Sequence, residues 1–245
     1  MREKKILYKI HEMGAAQKKV ATKYLLDSYD GNLAYIDFKI GEFLDELREQ
    51  NLFENTVIVI ASDHGEAFME HDKIGHGFVL FEELLHVPLI FRAPEPAGIQ
   101  VGVSLEVVEM LDVYPTLVEI FGFEIPDTLH GRSLLSGMRG QSFSPKPAIF
   151  AQAHGTNLLS IRMGNLKMIC KFDPKTKKLS RFGIFDLEKD PGEKNNLFTS
   201  DYPVEEFLTA AEEYMARWPV DLTAPKDDIH DELREDLEAI GYLGK

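Results

Sequence analysis

Asn55-Thr56-Val57-Ile58-Val59-Ile60-Ala61-Ser62-Asp63-His64-Gly65-Glu66 is the stretch from which the rest of the chain is read. Val57 to Ala61 is an apolar run, mostly β-branched. It is too short for a membrane span and lacks the polar alternation of a half-exposed strand. The pattern predicts a strand buried on both faces of a parallel sheet. The run stops at Ser-Asp-His-Gly. Open parallel sheets bind ligands beyond the carboxyl ends of their strands, where side chains leave the core. Asp63 and His64 offer a hard oxygen and a borderline nitrogen to one divalent cation. Gly65 is expected to turn the backbone close to whatever is bound. The tripeptide alone is more often a polar turn after a strand.

The residues that follow favour the site. His71, Lys73 and His76 fall in one short loop, with Gly75 and Gly77 beside the last. A second apolar run, Leu84 to Phe91, comes next. Strand, polar Gly/His loop, strand is the layout of a site at a sheet edge. His71 and His86 read as structural, and Glu66 as a support of the loop.

Composition narrows the function classes. The 245 residues suffice for one large domain, or one with an appendage, and 44% are hydrophobic, so a substantial core can be buried. The net charge of -14 argues against a nucleic-acid partner, whose phosphates need a basic surface. It also repels polyanionic substrates unless a metal or local cations intervene. No apolar run has membrane-spanning length. The basic start, MREKKILYKIHEMGAAQKK, has no continuous apolar core of a signal peptide. The single cysteine, Cys170, excludes an internal disulfide and fits a cytoplasmic location, the default expectation.

Three regions are expected. Residues 1–24 read as an N-terminal extension of uncertain structure. Residues 25–140 read as an α/β core with a parallel or mixed sheet flanked by helices. Gly31 is expected to interrupt its first helix. Leu33, Ile36, Ile40, Phe43, Leu44 and Leu47 then recur at helical spacing to about Gln50, a face suited to covering the sheet. Pro115 and Gly122 suit the first turn and the end of a later helix. Residues 123–147 read as a long loop. Residues 141–245 read as a small antiparallel sheet with C-terminal helices. Its strands are Ala148–Ala153, Leu158–Met163, Leu166–Phe172 and Leu179–Leu187. A turn at Asp190-Pro191-Gly192-Glu193 precedes an amphipathic helix over 203–218, and a further short helix is expected over 228–243.

The block SDHGEAFMEHDKIGHGFVLFEELLHVPLIFRAP resembles the metal-site region of the sulfatases, within the alkaline phosphatase superfamily. It is most similar to the subgroup with Asp-His, shared with phosphonate monoester and phosphodiester hydrolases, where other sulfatases have Asp-Asn. Further likenesses follow in order: Leu111-Asp112-Val113-Tyr114-Pro115-Thr116-Leu117, Leu129-His130-Gly131-Arg132-Ser133-Leu134, Phe185 to Leu197, and Leu237 to Leu243. The resemblance implies the C-terminal half of an alkaline-phosphatase-like fold. It implies Asp63 and His64 as metal ligands, for calcium or manganese, and His76, with Lys73, as contacts to sulfate or phosphate ester oxygens. The implied function is metal-dependent cleavage of sulfate esters. The alternatives are phosphodiester or phosphonate monoester hydrolysis, or a non-catalytic remnant acting as an interaction domain.

One departure matters. The family's nucleophile is a formylglycine made in a Cys/Ser-x-Pro/Ala-x-Arg motif, and this sequence has none. Cys170, followed by Lys171-Phe172-Asp173 in an expected strand, reads as structural. The nucleophile is therefore expected from an absent N-terminal half, and this chain alone is expected to be inactive. A complementary half or self-association is expected to cover the exposed sheet edge.

Overall fold

In the computed structural model of the chain, residues 9–142, 144–153, 156–173, 176, 178–199 and 202–217 are described. The first long element is helix α1, Ala15–Glu49. It begins after Gly14, whose N–H donates to Gln17 Oε1. Lys23–Asp27 and Lys39–Glu42 ion pairs line its exposed face. It runs through Gly31, so the expected interruption does not occur. A helical glycine costs about 1 kcal/mol relative to alanine, which good helix formers on both sides outweigh. Residues 24 and 25 therefore lie inside one helix.

The expected packing of this helix is also corrected. Only Ala21 and Leu25 are buried, in a small cluster with Ile10, flanked by Met13, Phe68, Met69 and Ile74. Leu33, Ile36 and Phe43 are each more than half exposed. A helix of this length extends about 50 Å, far beyond what a two-stranded ladder can cover.

That ladder is β1, Ile58–Ala61, with β4, Leu89–Arg92. The pairing is antiparallel, from Ile58 opposite Arg92 to Ala61 opposite Leu89. The expected parallel or mixed sheet is thus corrected: every strand pair among the described residues is antiparallel. The connection from 62 to 88 holds a hairpin and a single helical turn. It returns the chain beside the strand it left, as a hairpin does and a crossover does not. Nor is β1 buried on both faces, since Ala61 is exposed and the rest half-buried.

Inside that connection, β2 (Ala67–Phe68) pairs with β3 (Ile74–Gly75), and α2 spans Glu82–Leu85. Here Gly65 does something other than expected. A Cβ on it would lie 2.0 Å from the Glu83 carbonyl oxygen, and its N–H donates to Leu84 O at 2.9 Å. Its bare backbone lets the α2 turn pack directly onto the end of the β1 strand.

Helix α3, Val113–Ile120, has Pro115 in its first turn and Gly122 just past its end at φ 76, both as expected. Before it sits the fully buried Asp112. Its Oδ1 accepts from the Arg132 N–H at 2.8 Å and Lys146 Nζ at 2.7 Å, and its Oδ2 from the Glu109 N–H at 3.1 Å. Thr116 Oγ1 donates to Asp112 O and accepts from the Leu134 N–H. The two motifs around Asp112 and Gly131 are therefore halves of one structural knot. The loop 123–147 also contains a short helix, α4, Leu135–Met138.

The C-terminal region is the antiparallel meander that the turn signals predict. Strands β5 (Ile149–Gln152), β6 (Leu158–Met163), β7 (Leu166–Phe172) and β8 (Leu179–Asp186) are adjacent in chain order. Alternate residues Leu159 and Ile161, and Met168, Cys170 and Phe172, point into one core with Ile184. Helix α5, Glu205–Arg217, closes that core with Phe207, Ala211 and Met215, four residues apart. Trp218 and the helix expected over 228–243 lie outside the described residues. Burial pushes the Cys170 thiol up to about 12, which leaves no nucleophilic thiolate near neutral pH. Among the described residues no helix is long and apolar enough to cross a membrane.

Candidate functional site

The site forms where β1 ends. Ser62 Oγ donates to His64 O at 2.7 Å and closes the turn. The His64 N–H donates to Asp63 Oδ1 at 3.0 Å. His64 Nδ1 lies 2.7 Å from Gly65 O. A carbonyl can only accept, so Nδ1 carries the hydrogen in this contact. That Nε2 stands 3.8 Å from Asp63 Oδ2. Metal bonds to oxygen and nitrogen run about 2.0 to 2.5 Å, which at tetrahedral or octahedral angles puts two ligand atoms of one ion roughly 3 to 4 Å apart. The donor set thus fits a divalent cation, with the second nitrogen of His64 already committed to a carbonyl that fixes its tautomer.

The β2–β3 hairpin brings in the next pair. Ala67 stands opposite Gly75, so the next residues outward, Glu66 and His76, come together. His76 Nδ1 lies 2.8 Å from Glu66 Oε2. The His76 ring stacks on His64 with centroids 4.1 Å apart. Ligand atoms of His64, Glu66 and His76 all lie within 4.8 Å of one another. Lys73 is exposed at the hairpin turn, where its carbonyl accepts from the Met69 N–H.

Of the residues singled out in the sequence, Asp63, His64 and His76 therefore converge, and Lys73 stays at the turn. Glu66, read as a loop support, sits inside the cluster. Its signal was the ten-residue spacing to His76 across a hairpin with Gly75 (φ 86) at its second strand. His71 is a structural residue: Nδ1 is 2.8 Å from Glu83 Oε1 and Nε2 is 3.1 Å from Glu193 O. His86 is exposed, and its N–H closes the α2 turn onto Glu82 O.

Two family models match this chain. The sulfatase model covers residues 7–123, and the model for the C-terminal region of N-sulphoglucosamine sulphohydrolase covers residues 70–217. Arylsulfatase K of Mus musculus is 32% identical over 183 residues, 70% of this chain and 32% of the relative. Choline-sulfatase of Rhizobium meliloti is 32% identical over 177 residues, 69% of this chain and 32% of the relative. The chain spans about a third of the length of these curated relatives. Among solved structures, BT4656, in complex with D-glucosamine-2-N,6-O-disulfate, superposes with a TM-score of 0.69 at 23% identity, covering 89% of this chain and 45% of that one. The phosphonate monoester hydrolase of Agrobacterium radiobacter gives 0.60 at 24% identity, covering 75% and 39%. Both likenesses are of fold.

Proposed function

Because the chain belongs to the sulfatase family, within the alkaline phosphatase superfamily, we propose that it supplies the metal-binding and ester-contacting residues of a sulfate ester hydrolase. Asp63 and His64 hold a divalent cation, calcium or manganese. His76 meets a non-bridging oxygen of the ester, and Lys73, exposed at the turn, adds positive charge to the same hairpin. The nucleophile comes from a polypeptide segment outside this sequence, which has no Cys/Ser-x-Pro/Ala-x-Arg motif. The observation that carries this reading is the approach of His64 Nε2 to Asp63 Oδ2, 3.8 Å apart at the end of β1. A bound cation would neutralise charge on the ester. The chain's own part is to orient the donors. Glu66 holds the His76 ring, which leaves Nε2 as the nitrogen to face an anion. Local cations are needed because the whole chain carries -14. Phosphodiester or phosphonate monoester cleavage uses the same groups on the same charge pattern.

Calorimetry with Mn²⁺ and Ca²⁺ tests the site. Wild type is expected to bind weakly, since two protein ligands make a poor cage, and Asp63→Ala/His64→Ala is expected to bind nothing measurable. Equal affinity in both proteins would remove the assignment. One observation favours a second arrangement, with the cation held by His64, Glu66 and His76, whose ligand atoms already lie within 4.8 Å. In that case Glu66→Gln and His76→Ala also lose the metal; in the first arrangement they keep it.

The reading also implies a partner. Leu33, Ile36 and Phe43 on α1, and Val101, Val103 and Leu105 beyond β4, are each more than half exposed. Such apolar surface is costly in a monomer. A complementary polypeptide carrying the nucleophile covers it, or a second copy of this chain does so in its absence. Light scattering of the isolated chain is expected to report association at micromolar concentration. A clean monomer there would count against a partner.

A further inference from the structure

We propose that His71 and Glu193 are positioning residues for the site: they anchor the hairpin that carries Glu66 and His76 to the C-terminal sheet. The inference rests on the functional reading above and adds how that site is held in place.

Three segments, distant in sequence, meet at His71. The residue sits in the turn of the β2–β3 hairpin, five positions before His76. One ring nitrogen faces the Glu83 carboxylate of α2 and the other the Glu193 carbonyl, 122 residues downstream. A carboxylate and a carbonyl both accept, so the two contacts favour the ring with a hydrogen on each nitrogen. Burial works against that charge. The hydrogen bonds to Glu83 and to the Glu193 carbonyl, with the charges of both glutamates, outweigh it and hold the His71 pKa above its ordinary value. The ring also lies flat on Phe81, 3.6 Å between centroids, and Phe81 meets Phe185 of β8 edge-on at 5.9 Å.

Glu193 is built to receive this contact. Its backbone takes a left-handed conformation, φ 50, which a non-glycine residue adopts only when its surroundings hold it there. The side chain is fully buried. Oε2 accepts from the Glu82 N–H at 2.6 Å, and Oε1 pairs with Lys167 Nζ at 2.9 Å. Lys167, in β7, also pairs with Glu82 Oε1 at 2.8 Å. The carboxylate of Glu193 therefore fastens its own turn to α2 and β7, and its carbonyl offers a fixed acceptor to the hairpin. These groups grip the hairpin at its turn. They act through the hairpin backbone, and the α2 turn they grip is the one packed on Gly65.

The test compares the full chain with His71→Ala and Glu193→Gln by hydrogen exchange and by Mn²⁺ calorimetry. Amides of residues 66–76 are expected to exchange at least about tenfold faster in His71→Ala, with β6 and β7 unchanged. Where the cation sits on His64, Glu66 and His76, Mn²⁺ affinity is expected to fall by about 10- to 100-fold, as when an outer partner of a metal site is removed; where Asp63 and His64 hold it, affinity is expected to stay. Side-chain ¹⁵N NMR of wild type should show His71 protonated on both nitrogens at pH 7. Unchanged exchange over 66–76 in His71→Ala overturns the proposal. So does unchanged affinity in that variant when Glu66→Gln and His76→Ala have shown that the hairpin holds the metal. If wild type binds no Mn²⁺, the metal reading falls and the exchange comparison alone decides the anchoring. Glu193→Gln is expected to show the same loosening together with lower stability. His71→Ala, in an exposed-end hairpin, keeps the test open if Glu193→Gln does not fold.

Discussion

Gly131→Ala is expected to destabilise the protein by about 3 kcal/mol or more, the upper end of what overpacking costs. A Cβ at this position would stand 1.8 Å from the Leu111 carbonyl oxygen and 2.4 Å from its carbon. Those are backbone atoms, which cannot rotate aside as a side chain can. The backbone they belong to leads directly into Asp112, whose buried carboxylate accepts from Arg132, Glu109 and Lys146. Moving Leu111 away from residue 131 pulls Asp112 from the Arg132 N–H, the residue next to the intruding methyl. It also disturbs Thr116, which bonds both Asp112 O and the Leu134 N–H. A buried acceptor left without its donors costs more than the bond itself contributed. At about 2 to 4 °C per kcal/mol for a chain of this size, the melting temperature should drop by roughly 6 to 12 °C. Gly31→Ala is the matched control. Nothing lies within 4 Å of its Cβ position, and alanine in a helix interior should raise stability by up to about 1 kcal/mol. If the two substitutions shift urea midpoints equally, the close approach at Gly131 is not what the geometry implies.

The contrast between these glycines also shows what a sequence can and cannot disclose. Gly31 looked like a helix breaker because its neighbours were read locally, yet a mid-helix glycine carries only a modest penalty. Gly65 and Gly131 were legible as glycines within motifs, but their reason lies in backbones 18 and 20 residues away. The meander was legible because its signals are local: two-fold alternation in Leu166–Phe172 and a Gly-Asn turn at residue 164. Strand β1 misled for a physical reason. Five apolar residues in a row imply burial, but they do not say which chain buries them, and here Ala61 is exposed and its neighbours half-buried. Asp63, His64 and His76 could be singled out because metal and anion chemistry needs those residue types, and the end of β1 and the hairpin bring them to one place. Glu66 was underestimated because its value comes from the hairpin register, which sets it against His76. His71 and Glu193 could not have been linked at all, since nothing local couples positions 122 residues apart.

Lys167→Ala is expected to be the most damaging change in the C-terminal sheet, at about 3 to 5 kcal/mol near pH 7, the usual cost of leaving a buried charge without its partner. Lys167 is 1% exposed and stands between Glu193 at 2.9 Å and Glu82 at 2.8 Å. Removing the ammonium leaves two carboxylates facing each other, one of them wholly out of water. Arg162, 3.6 Å from the outer oxygen of Glu82, reaches only that one. Burial already pushes the Glu193 carboxyl above its ordinary value, against the charge and hydrogen bond of Lys167. Without them the shift grows. A carboxyl whose folded pKa is raised penalises the folded state only when it must ionise. The penalty is therefore absent below the unfolded value near 4.5 and grows as pH rises through the folded one. Urea denaturation should find Lys167→Ala furthest from wild type at pH 7, with the gap narrowing towards pH 4.5. Adding Glu193→Gln should recover part of the loss at pH 7, because a neutral amide has no charge to strand. A gap that stays constant with pH, or a double variant no better than the single one, would mean that the cost lies in lost packing of the lysine stem. The carboxylate of Glu193 would then be dispensable for holding the turn that receives His71.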